Sequence, residues 1–244
     1  MLPTLFQTPA QVRNYTAKVK RTAPANLIAY WPLAEASGVT IVDEGPNGYN
    51  GTYSNVASVL TGVTLGATGI GDGRAAATFD GATGYGNVYS ASFAAAFDNQ
   101  TITAALWVRQ SDAASTVKRV LNIGADDSNR IVLQRNSTQQ LQFFYIAGGT
   151  QKFTSTAYAT TTWVHVAITV TKAGDAVKVY VAGVQSGATQ TSLGVWAGAL
   201  AATRCVIGAN DTVPTLVWPG QAAQVAIWNT PLPAVQVAQL ATVP

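Results

Sequence analysis

Residues 163–181, WVHVAITVTKAGDAVKVYV, contain two strand-like segments separated by a turn. In the first segment, Trp163–Thr171, successive side chains alternate between a valine and isoleucine face and a mixed face. The second segment, Val177–Val181, places three valines on one face, and Ala173-Gly174-Asp175 lies between the two. Strands with this period-two pattern bury one face against a second sheet. The stretch therefore predicts an antiparallel hairpin within a two-layer β structure.

The same pattern extends over the chain from Asn26 onward. Short runs rich in valine, isoleucine, threonine and aromatic residues, such as Thr101–Arg109, alternate with glycine, asparagine, aspartate and serine. Such a pattern is typical of many short strands at regular spacing. Turn dipeptides occur at Asn47-Gly48, Asp72-Gly73 and Asp80-Gly81. Helical periodicity is convincing only in Pro233–Leu240. We therefore predict an all-β, two-sheet antiparallel sandwich with a short C-terminal helix.

Composition and charge exclude several classes of protein. Charged residues make up 10% of the 244 residues, against roughly 25% in an average soluble protein. No apolar stretch approaches the roughly 18 residues of a membrane span, so no membrane partner is expected. Four basic residues precede the first acid, Glu35, and the rest of the chain carries ten basic and eleven acidic groups, a net charge of −1. Without a basic folded face, nucleic-acid binding is not expected.

Residues 1–25 differ in texture from the rest and are predicted to form an extended N-terminal arm, followed by a sandwich domain over 26–244. The arm contains three prolines, scattered apolar residues and the basic cluster. Its start lacks the features of a secretion signal, so the protein is expected to be made in a host cytoplasm, and either kept there or assembled there into something larger. The predicted partner-binding residues of the arm are Leu2, Leu5, Phe6, Arg13, Lys18, Lys20 and Arg21.

Residue types that often carry chemistry are scarce. Cys205 is the single cysteine, which excludes an intrachain disulfide, and its apolar surroundings predict a small buried residue. His165 is the single histidine and is predicted to be a hydrogen-bonded group in or near the core. No G-x-S-x-G nucleophile motif is present. Gly69–Gly73 lacks the Lys-Ser/Thr of a phosphate loop and is interpreted as a turn.

An ordered set of short segments covers the chain from about residue 26 to the end. The segments are Leu27–Leu33 with Glu35 and Gly38; Val42-Asp43, Asn47-Gly48 and Asn50-Gly51-Thr52; Ala77–Gly81; Thr101–Thr103 and Leu106–Val108; Trp163–Ala167; Val179–Val181 with Gly183; Ile207-Gly208; Gly220 and Val225–Asn229; and Leu232 and Leu240. Together they resemble the laminin-G-like, concanavalin-A-like jelly-roll superfamily of lectins and glucanases. The resemblance implies a jelly-roll sandwich. It implies no single function, because the superfamily contains lectins, enzymes, adhesion modules and virion proteins.

Two departures from the family pattern concern metal binding. Many relatives carry aspartate where this chain has Ala182 and Ala223, and the second of these aspartates often helps to hold a structural calcium ion. Calcium requires about six or more oxygen ligands. Asp43, Asn47 and Asp80 remain weak candidate ligands. We expect no bound metal and no cofactor.

The glucanases of the superfamily need two carboxylates about 5–10 Å apart, which in retaining members lie on one strand as Glu-X-Asp-X-(X)-Glu. This chain has two glutamates, Glu35 and Glu44, and no such strand. Asp43-Glu44 is interpreted as a solvated loop pair, and Asp126-Asp127 as a loop tip between strands. No catalytic residue is identified, so the protein is predicted not to be an enzyme.

The tryptophans fall into two groups. Trp31, Trp107, Trp163 and Trp228 lie inside the family segments and are predicted to be core residues. Trp196 and Trp218 lie in loops rich in glycine and proline, and lectin-like sites stack a sugar ring on such side chains. They are the candidate ligand contacts, together with Asn210 and Asp211. The alternative, that each loop tryptophan caps an edge of the sandwich, stays open.

Two functions are predicted from these observations. The first is a non-enzymatic virion structural protein, a capsid decoration or tail-associated subunit of a tailed phage. It follows from an N-terminal arm before a Leu27–Glu35 start that resembles phage-encoded members of the superfamily. Its partners would be other virion proteins, and it would form a homo-oligomer. The second is a carbohydrate-binding module, with a cell-surface glycan as its ligand. A glycosidase is the least favoured class.

Overall fold

The computed structural model describes residues 15–112, 115–158 and 161–243. Within these residues lie three helices and eighteen strands, numbered in chain order. The helices are α1 (Tyr15–Arg21), α2 (Ala91–Ala96) and α3 (Ala234–Leu240). Two short strands, β4 (Asn55–Val56) and β5 (Val59–Leu60), pair only with each other.

The remaining strands form two eight-stranded antiparallel sheets. The first sheet has the order β16 (Val184–Gln190), β15 (Ala176–Val181), β14 (Val164–Thr171), β9 (Thr101–Gln110), β18 (Pro219–Trp228), β7 (Ala75–Asp80) and β6 (Val63–Thr68), and β1 (Leu27–Trp31) also pairs with β18. The second sheet has the order β13 (Thr150–Ala157), β12 (Gln140–Ala147), β11 (Asn129–Arg135), β10 (Lys118–Asp126), β17 (Cys205–Ile207), β8 (Gly86–Asn87), β3 (Gly51–Tyr53) and β2 (Thr40–Ile41).

The predicted all-β sandwich with a short C-terminal helix is confirmed. The opening hairpin is β14 and β15, whose last pair, Thr171 and Ala176, flanks the predicted turn. On β9, residues such as Leu106 face the main core between the sheets, whereas the next residue, Trp107, belongs to a second cluster on the outer side of the first sheet. Each fully buried aliphatic side chain of the main core contributes about 1.5–3 kcal/mol.

Helix α1 covers part of the outer side of the first sheet, where an extended arm was predicted for residues 1–25. That prediction was wrong for residues 15–21, which are helical. Tyr15 and Val19, one helical turn apart, are both buried in the second cluster. A seven-residue helix is too short to be stable alone, so this packing is what stabilises it. The sequence of the segment is locally compatible with either structure.

The Tyr15 hydroxyl connects three elements. It donates a hydrogen bond to the carbonyl oxygen of Leu240 at 2.7 Å and accepts one from Trp107 Nε1 at 2.9 Å. We expect Tyr15→Phe to lower the free energy of unfolding by about 1–3 kcal/mol, because both buried partners lose their hydrogen bond. Chemical denaturation measures this loss, and Lys20→Ala, on the exposed side of the same helix, is the control. Unfolding of Tyr15→Phe at the wild-type midpoint would contradict the prediction.

Candidate functional site

The outer face of the second sheet carries a stack of two aromatic rings, of which one is exposed. Strand pairing places Val132 of β11 opposite Phe144 of β12, and Phe144 opposite Phe153 of β13. The rings of Phe144 and Phe153 stack with centroids 4.3 Å apart and planes 26° apart. Val132, Phe144 and Ile146 form an apolar cluster separate from both cores, and Phe153 is 36% exposed. The Phe153 ring is therefore exposed to solvent on this face, and its stacking on Phe144 holds it in place.

A row of hydrogen-bonded polar side chains lies beside the stack and crosses four strands. Arg119 Nε donates to Gln134 Oε1 at 3.2 Å, and Gln134 Nε2 donates to Gln142 Oε1 at 3.0 Å. Gln142 Nε2 then donates to Ser155 Oγ at 2.8 Å. These bonds fix the orientation of both amides. We call Arg119, Gln134, Gln142 and Ser155 the amide row.

Arginines border the amide row on the side of β10 and β11. Arg130 Nη1 donates to Asp127 Oδ1 at 2.5 Å, and Arg204 Nη1 donates to the same oxygen at 2.6 Å. The hydrogen bond from Arg204 is the main reason why the pKa of Asp127 lies below its usual value. Burial, and next the positive charge of Arg130, lower the pKa of Arg119 to about 10. The guanidinium groups of Arg119, Arg130 and Arg204 therefore lie close together, and those of Arg119 and Arg130 are partly buried.

Part of this surface forms a depression of about 100 Å³. It is lined by Arg119, Arg130, Val132, Gln134, Phe144, Ile146 and Gln151. Pockets that enclose a drug-sized molecule measure roughly 300–1,000 Å³. A ligand of more than a few atoms would therefore lie along the open face of the sheet rather than inside a cavity. The lining combines apolar surface, amides with both donors and acceptors, and guanidinium donors.

A second depression, of about 280 Å³, lies on the outer side of the first sheet. Its polar lining includes Lys178, Gln185 and Thr169, and Pro231 and Leu232 border it. Tyr180, the aromatic residue in its lining, is buried. Among the surfaces of the described residues we therefore favour the face with the Phe144–Phe153 stack.

The structure buries both tryptophans that were predicted to contact a ligand. Trp218 is 0% exposed, and its Nε1 donates to the Arg109 carbonyl at 3.4 Å. Trp196 is 9% exposed and packs against the rings of Phe97 and Tyr145. Neither ring is open to a sugar, so their assignment as stacking platforms was wrong. The alternative interpretation, in which loop tryptophans cover the sandwich, fits their positions because their loops fold over the core.

Asn210 and Asp211 lie at the border of the candidate face. Asn210 Oδ1 accepts a hydrogen bond from Arg119 Nη1, and the Asn210 carbonyl oxygen accepts one from Asn122 Nδ2. Asp211 Oδ2 accepts from Asn210 Nδ2 at 2.8 Å. Asn210 thus supports Arg119, and the prediction that Asn210 and Asp211 contact a ligand stays a prediction. The sequence did not identify the aromatic stack or the amide row.

The basic residues of the predicted arm differ in their surroundings. Lys18 Nζ donates to the Gln239 carbonyl oxygen and to Thr242 Oγ1, both at 2.9 Å, and so holds the C-terminal end of the domain. Lys20 and Arg21 are exposed. The other predicted arm residues, Leu2, Leu5, Phe6 and Arg13, lie outside the described residues.

The weak candidate metal ligands are engaged in holding loops. The sequence analysis predicted a solvated Asp43, but the structure buries it. Its carboxylate accepts hydrogen bonds from the backbone N–H groups of Tyr30, Gly45 and Tyr49 at 2.7–2.8 Å. The neighbouring Glu44 forms an ion pair with Arg74.

Asp80 accepts from three backbone N–H groups of the turn after β7, and Asn47 Nδ2 donates to the Ile28 carbonyl at 2.9 Å. In the part of the chain that the structure describes, no group of three or more histidine, cysteine or acidic side chains is placed to hold a metal ion. The expectation of no bound metal stays a prediction.

The remaining predicted positions are interior or at turns. Trp31, Trp107 and Trp228 are buried, as predicted, whereas Trp163 is only partly buried against the second cluster. Cys205 is buried, and burial raises the pKa of its thiol to about 12. Asp127 lies in the turn between β10 and β11, as predicted.

His165 is buried, as predicted, but it is not hydrogen-bonded. Neither ring nitrogen has a hydrogen-bond partner, and the ring packs edge-on against Trp107 at 5.5 Å. Burial, with a smaller contribution from the charge of Lys18, lowers the pKa of His165 to about 3. The prediction of a satisfied core histidine was therefore half right.

No helix within 15–112, 115–158 or 161–243 has the length and apolar character that crossing a membrane requires.

The two eight-stranded antiparallel sheets define an all-β sandwich protein. A laminin-G-type family model, described as the concanavalin A-like lectin/glucanases superfamily, matches residues 80–238. The chain belongs to this superfamily. The predicted resemblance to this superfamily is thus confirmed. The match does not show that the chain is of a phage-encoded type. No curated protein matches the chain in sequence.

Solved structures share the fold. Domain 4 of AbnA, a GH43 extracellular arabinanase from Geobacillus stearothermophilus, in complex with arabinotriose, has a TM-score of 0.61 and 21% identity, over 89% of this chain and 98% of that one. Trypanosoma rangeli sialidase in complex with sialic acid has a TM-score of 0.61 and 15% identity, over 93% of this chain and 36% of the sialidase. The receptor binding domain of botulinum neurotoxin type G has a TM-score of 0.59 and 11% identity, over 88% and 51%. Identities this low show the fold alone.

Proposed function

We propose that the protein is a carbohydrate-binding module whose ligand lies on the outer face of the second sheet. The observation that carries the proposal is the exposed Phe153 ring, stacked on Phe144 beside the amide row. A sugar ring has an apolar face and a rim of hydroxyl groups, and sites that recognise such ligands combine apolar or aromatic surface with a few fixed polar groups. The AbnA domain, which shares the fold, was solved with arabinotriose.

In this proposal each part of the face has a role. The Phe153 ring would receive the apolar face of one sugar unit, and its stacking on Phe144 holds it ready for that contact. The amides of Gln134 and Gln142 each combine donors and an acceptor, so they can bond hydroxyl groups of either orientation. Because neighbouring side chains already fix both amides, little conformational entropy is lost when a ligand binds.

The proposal includes no catalysis. A glycosidase needs two carboxylates flanking the bond to be cleaved. The Glu35 carboxylate accepts hydrogen bonds from the Val42 backbone N–H and the Tyr53 hydroxyl, both at 2.8 Å, and Glu44 is paired with Arg74. Both glutamates are thus engaged in supporting the loops around β2 and β3. The amide row and the Phe144–Phe153 stack contain no carboxylate.

The module should bind glycans through Phe153. In a titration with an oligosaccharide selected from a glycan array, which includes arabinotriose and sialylated glycans, Phe153→Ala should weaken binding about tenfold, or about 1.4 kcal/mol, because it removes the apolar contact with the sugar ring. The matched control is Val184→Ala, which truncates an exposed apolar residue on an edge strand of the first sheet. Equal affinities of Phe153→Ala and wild type would exclude this face. No retention of any glycan at millimolar concentration would overturn the proposed function.

Attachment of such a module to a virion stays a prediction. The comparisons supply no support for it, and most of its predicted anchoring residues lie outside the described residues. The predicted homo-oligomer and the cytoplasmic origin are likewise untested.

A further inference from the structure

We propose that the glycan bound on this face is acidic, and that Arg119 and Arg130 hold its anionic group. The inference rests on the proposed function and names the class of saccharide that the site takes. Its starting point is the charge around the depression. The charged groups that act on Arg119 and Arg130, besides each other, are Arg204, Asp126, Asp127 and Asp211. Three guanidinium groups thus meet three carboxylates, so their pairing decides which cation is left without a carboxylate.

Arg119 has no carboxylate bonded to it among the described residues. Its hydrogen bonds go to neutral oxygens, Gln134 Oε1 and Asn210 Oδ1. A guanidinium has five N–H donors and no acceptor, and these two bonds use two of the donors. Asp127, which might have neutralised Arg119, is instead shared by Arg130 and Arg204. Arg119 is therefore a partly buried cation whose hydrogen bonds orient it without neutralising it.

Arg130 supplies a second, independent observation. It lines the depression and is only 8% exposed, and its Nε is buried without a hydrogen-bond partner. A buried donor left without a partner destabilises the protein. Burial also lowers the pKa of Arg130, as it does that of Arg119. Two adjacent cations have thus been brought out of water, and of the two only Arg130 is paired with a carboxylate. An anion between them would therefore offset mainly the cost at Arg119.

The neighbouring surface distinguishes a saccharide from a simple anion. Val132, Phe144 and Ile146 line the same depression as the two arginines. An acidic sugar presents a carboxylate or sulfate group next to apolar ring atoms, so one residue of it would contact both kinds of lining. The planar guanidinium suits either anionic group, because it can donate two parallel hydrogen bonds. The shared chemistry is an anionic group on a pyranose.

The experiment compares three probes that differ in the substituent on O3 of the galactose: lactose, 3′-sialyllactose and 3′-sulfated lactose. With wild-type protein, at least one acidic probe should bind about tenfold or more tightly than lactose, because hydrogen bonds to charged groups are stronger than neutral ones. The sialylated and sulfated probes separate carboxylate from sulfate recognition. Added sodium chloride should weaken binding of the acidic probe more than that of lactose, because salt screens exposed charges.

In Arg119→Gln the ratio of acidic to neutral affinity should fall towards one. Arg119→Lys keeps the charge but loses the planar fork, and should show an intermediate ratio. It also keeps the test informative if Arg119→Gln folds poorly. The control is Lys178→Gln, which removes a cation from the depression on the first sheet and should preserve the wild-type ratio.

The outcomes separate this inference from the proposed function. If lactose binds as tightly as both acidic probes, or if Arg119→Gln keeps the wild-type ratio, acidic recognition is wrong although the module still binds glycans. If none of the three probes and no glycan on the array binds, the proposed function fails and this inference fails with it.

Discussion

Replacing Trp218 with alanine is expected to lower the free energy of unfolding by about 3–5 kcal/mol, the range for a fully buried tryptophan. Trp218 is completely buried in the main core, and its backbone N–H donates to the Gly208 carbonyl at 2.8 Å. Truncation leaves a cavity that the surrounding strands cannot fill without distortion. Urea denaturation followed by circular dichroism measures the loss without relying on tryptophan fluorescence.

The change is large compared with the total stability of a domain, which is about 5–15 kcal/mol. Trp218→Phe is therefore the companion variant, because it keeps part of the ring and should remain folded. We expect the folded Trp218→Phe protein to bind glycan with wild-type affinity. Val213→Ala, an exposed position in the preceding loop, should change stability by less than about 0.5 kcal/mol. Wild-type stability of Trp218→Phe combined with lost glycan binding would restore Trp218 as a ligand contact.

Trp218 also illustrates why the sequence identified the fold better than the site. A tryptophan followed by Pro219-Gly220 has the local composition of an exposed loop, and local composition was the only signal available. The structure shows that the loop closes over the core, which depends on contacts with distant strands. Trp196 was misjudged for the same reason, since its partners Phe97 and Tyr145 are far away in sequence.

The strands that were predicted correctly show the period-two alternation of apolar side chains within their own sequence. In β9, β14 and β15 one face is aliphatic and the alternation is visible over six to ten residues. In β12 the alternation is hidden, because Phe143 faces the main core while Phe144 faces the outer cluster. Both faces are apolar, so no period-two contrast marks the outer one.

One local signal of the candidate face was present. In β13, TQKFTSTA, Phe153 is a large apolar residue with Gln151 and Ser155 at the neighbouring positions on the same face. An aromatic side chain on a polar strand face is a position where exposure is expected. The amide row had no such signal, because it exists only once the register joins β10, β11, β12 and β13. Helix α1 was missed because its stability comes from distant partners.

The second large effect concerns His165 and acid. We expect wild-type protein to lose about 3 kcal/mol of stability between pH 7 and pH 4 relative to His165→Leu. The pKa of His165 is lowered to about 3 in the folded protein, below the value of about 6.5 in an unfolded chain. Above pH 6.5 the histidine is neutral in both states and does not affect stability. Below it the unfolded chain takes up a proton that the folded protein does not, so stability falls by about 1.4 kcal/mol per pH unit until pH 3.

Leucine at position 165 removes the titrating group while keeping an apolar side chain against Trp107. At pH 7 the variant should be at least as stable as wild type, because two buried nitrogens without partners are removed. Urea denaturation at pH 7, 6, 5 and 4 gives the difference between the two proteins, and the aspartates and glutamates contribute equally to both. Parallel pH profiles would mean that the pKa of His165 is not lowered in the folded protein, and would contradict the prediction. A gap that widens as the pH falls would show that the folded protein excludes the protonated ring, next to the helix that closes the outer side of the first sheet.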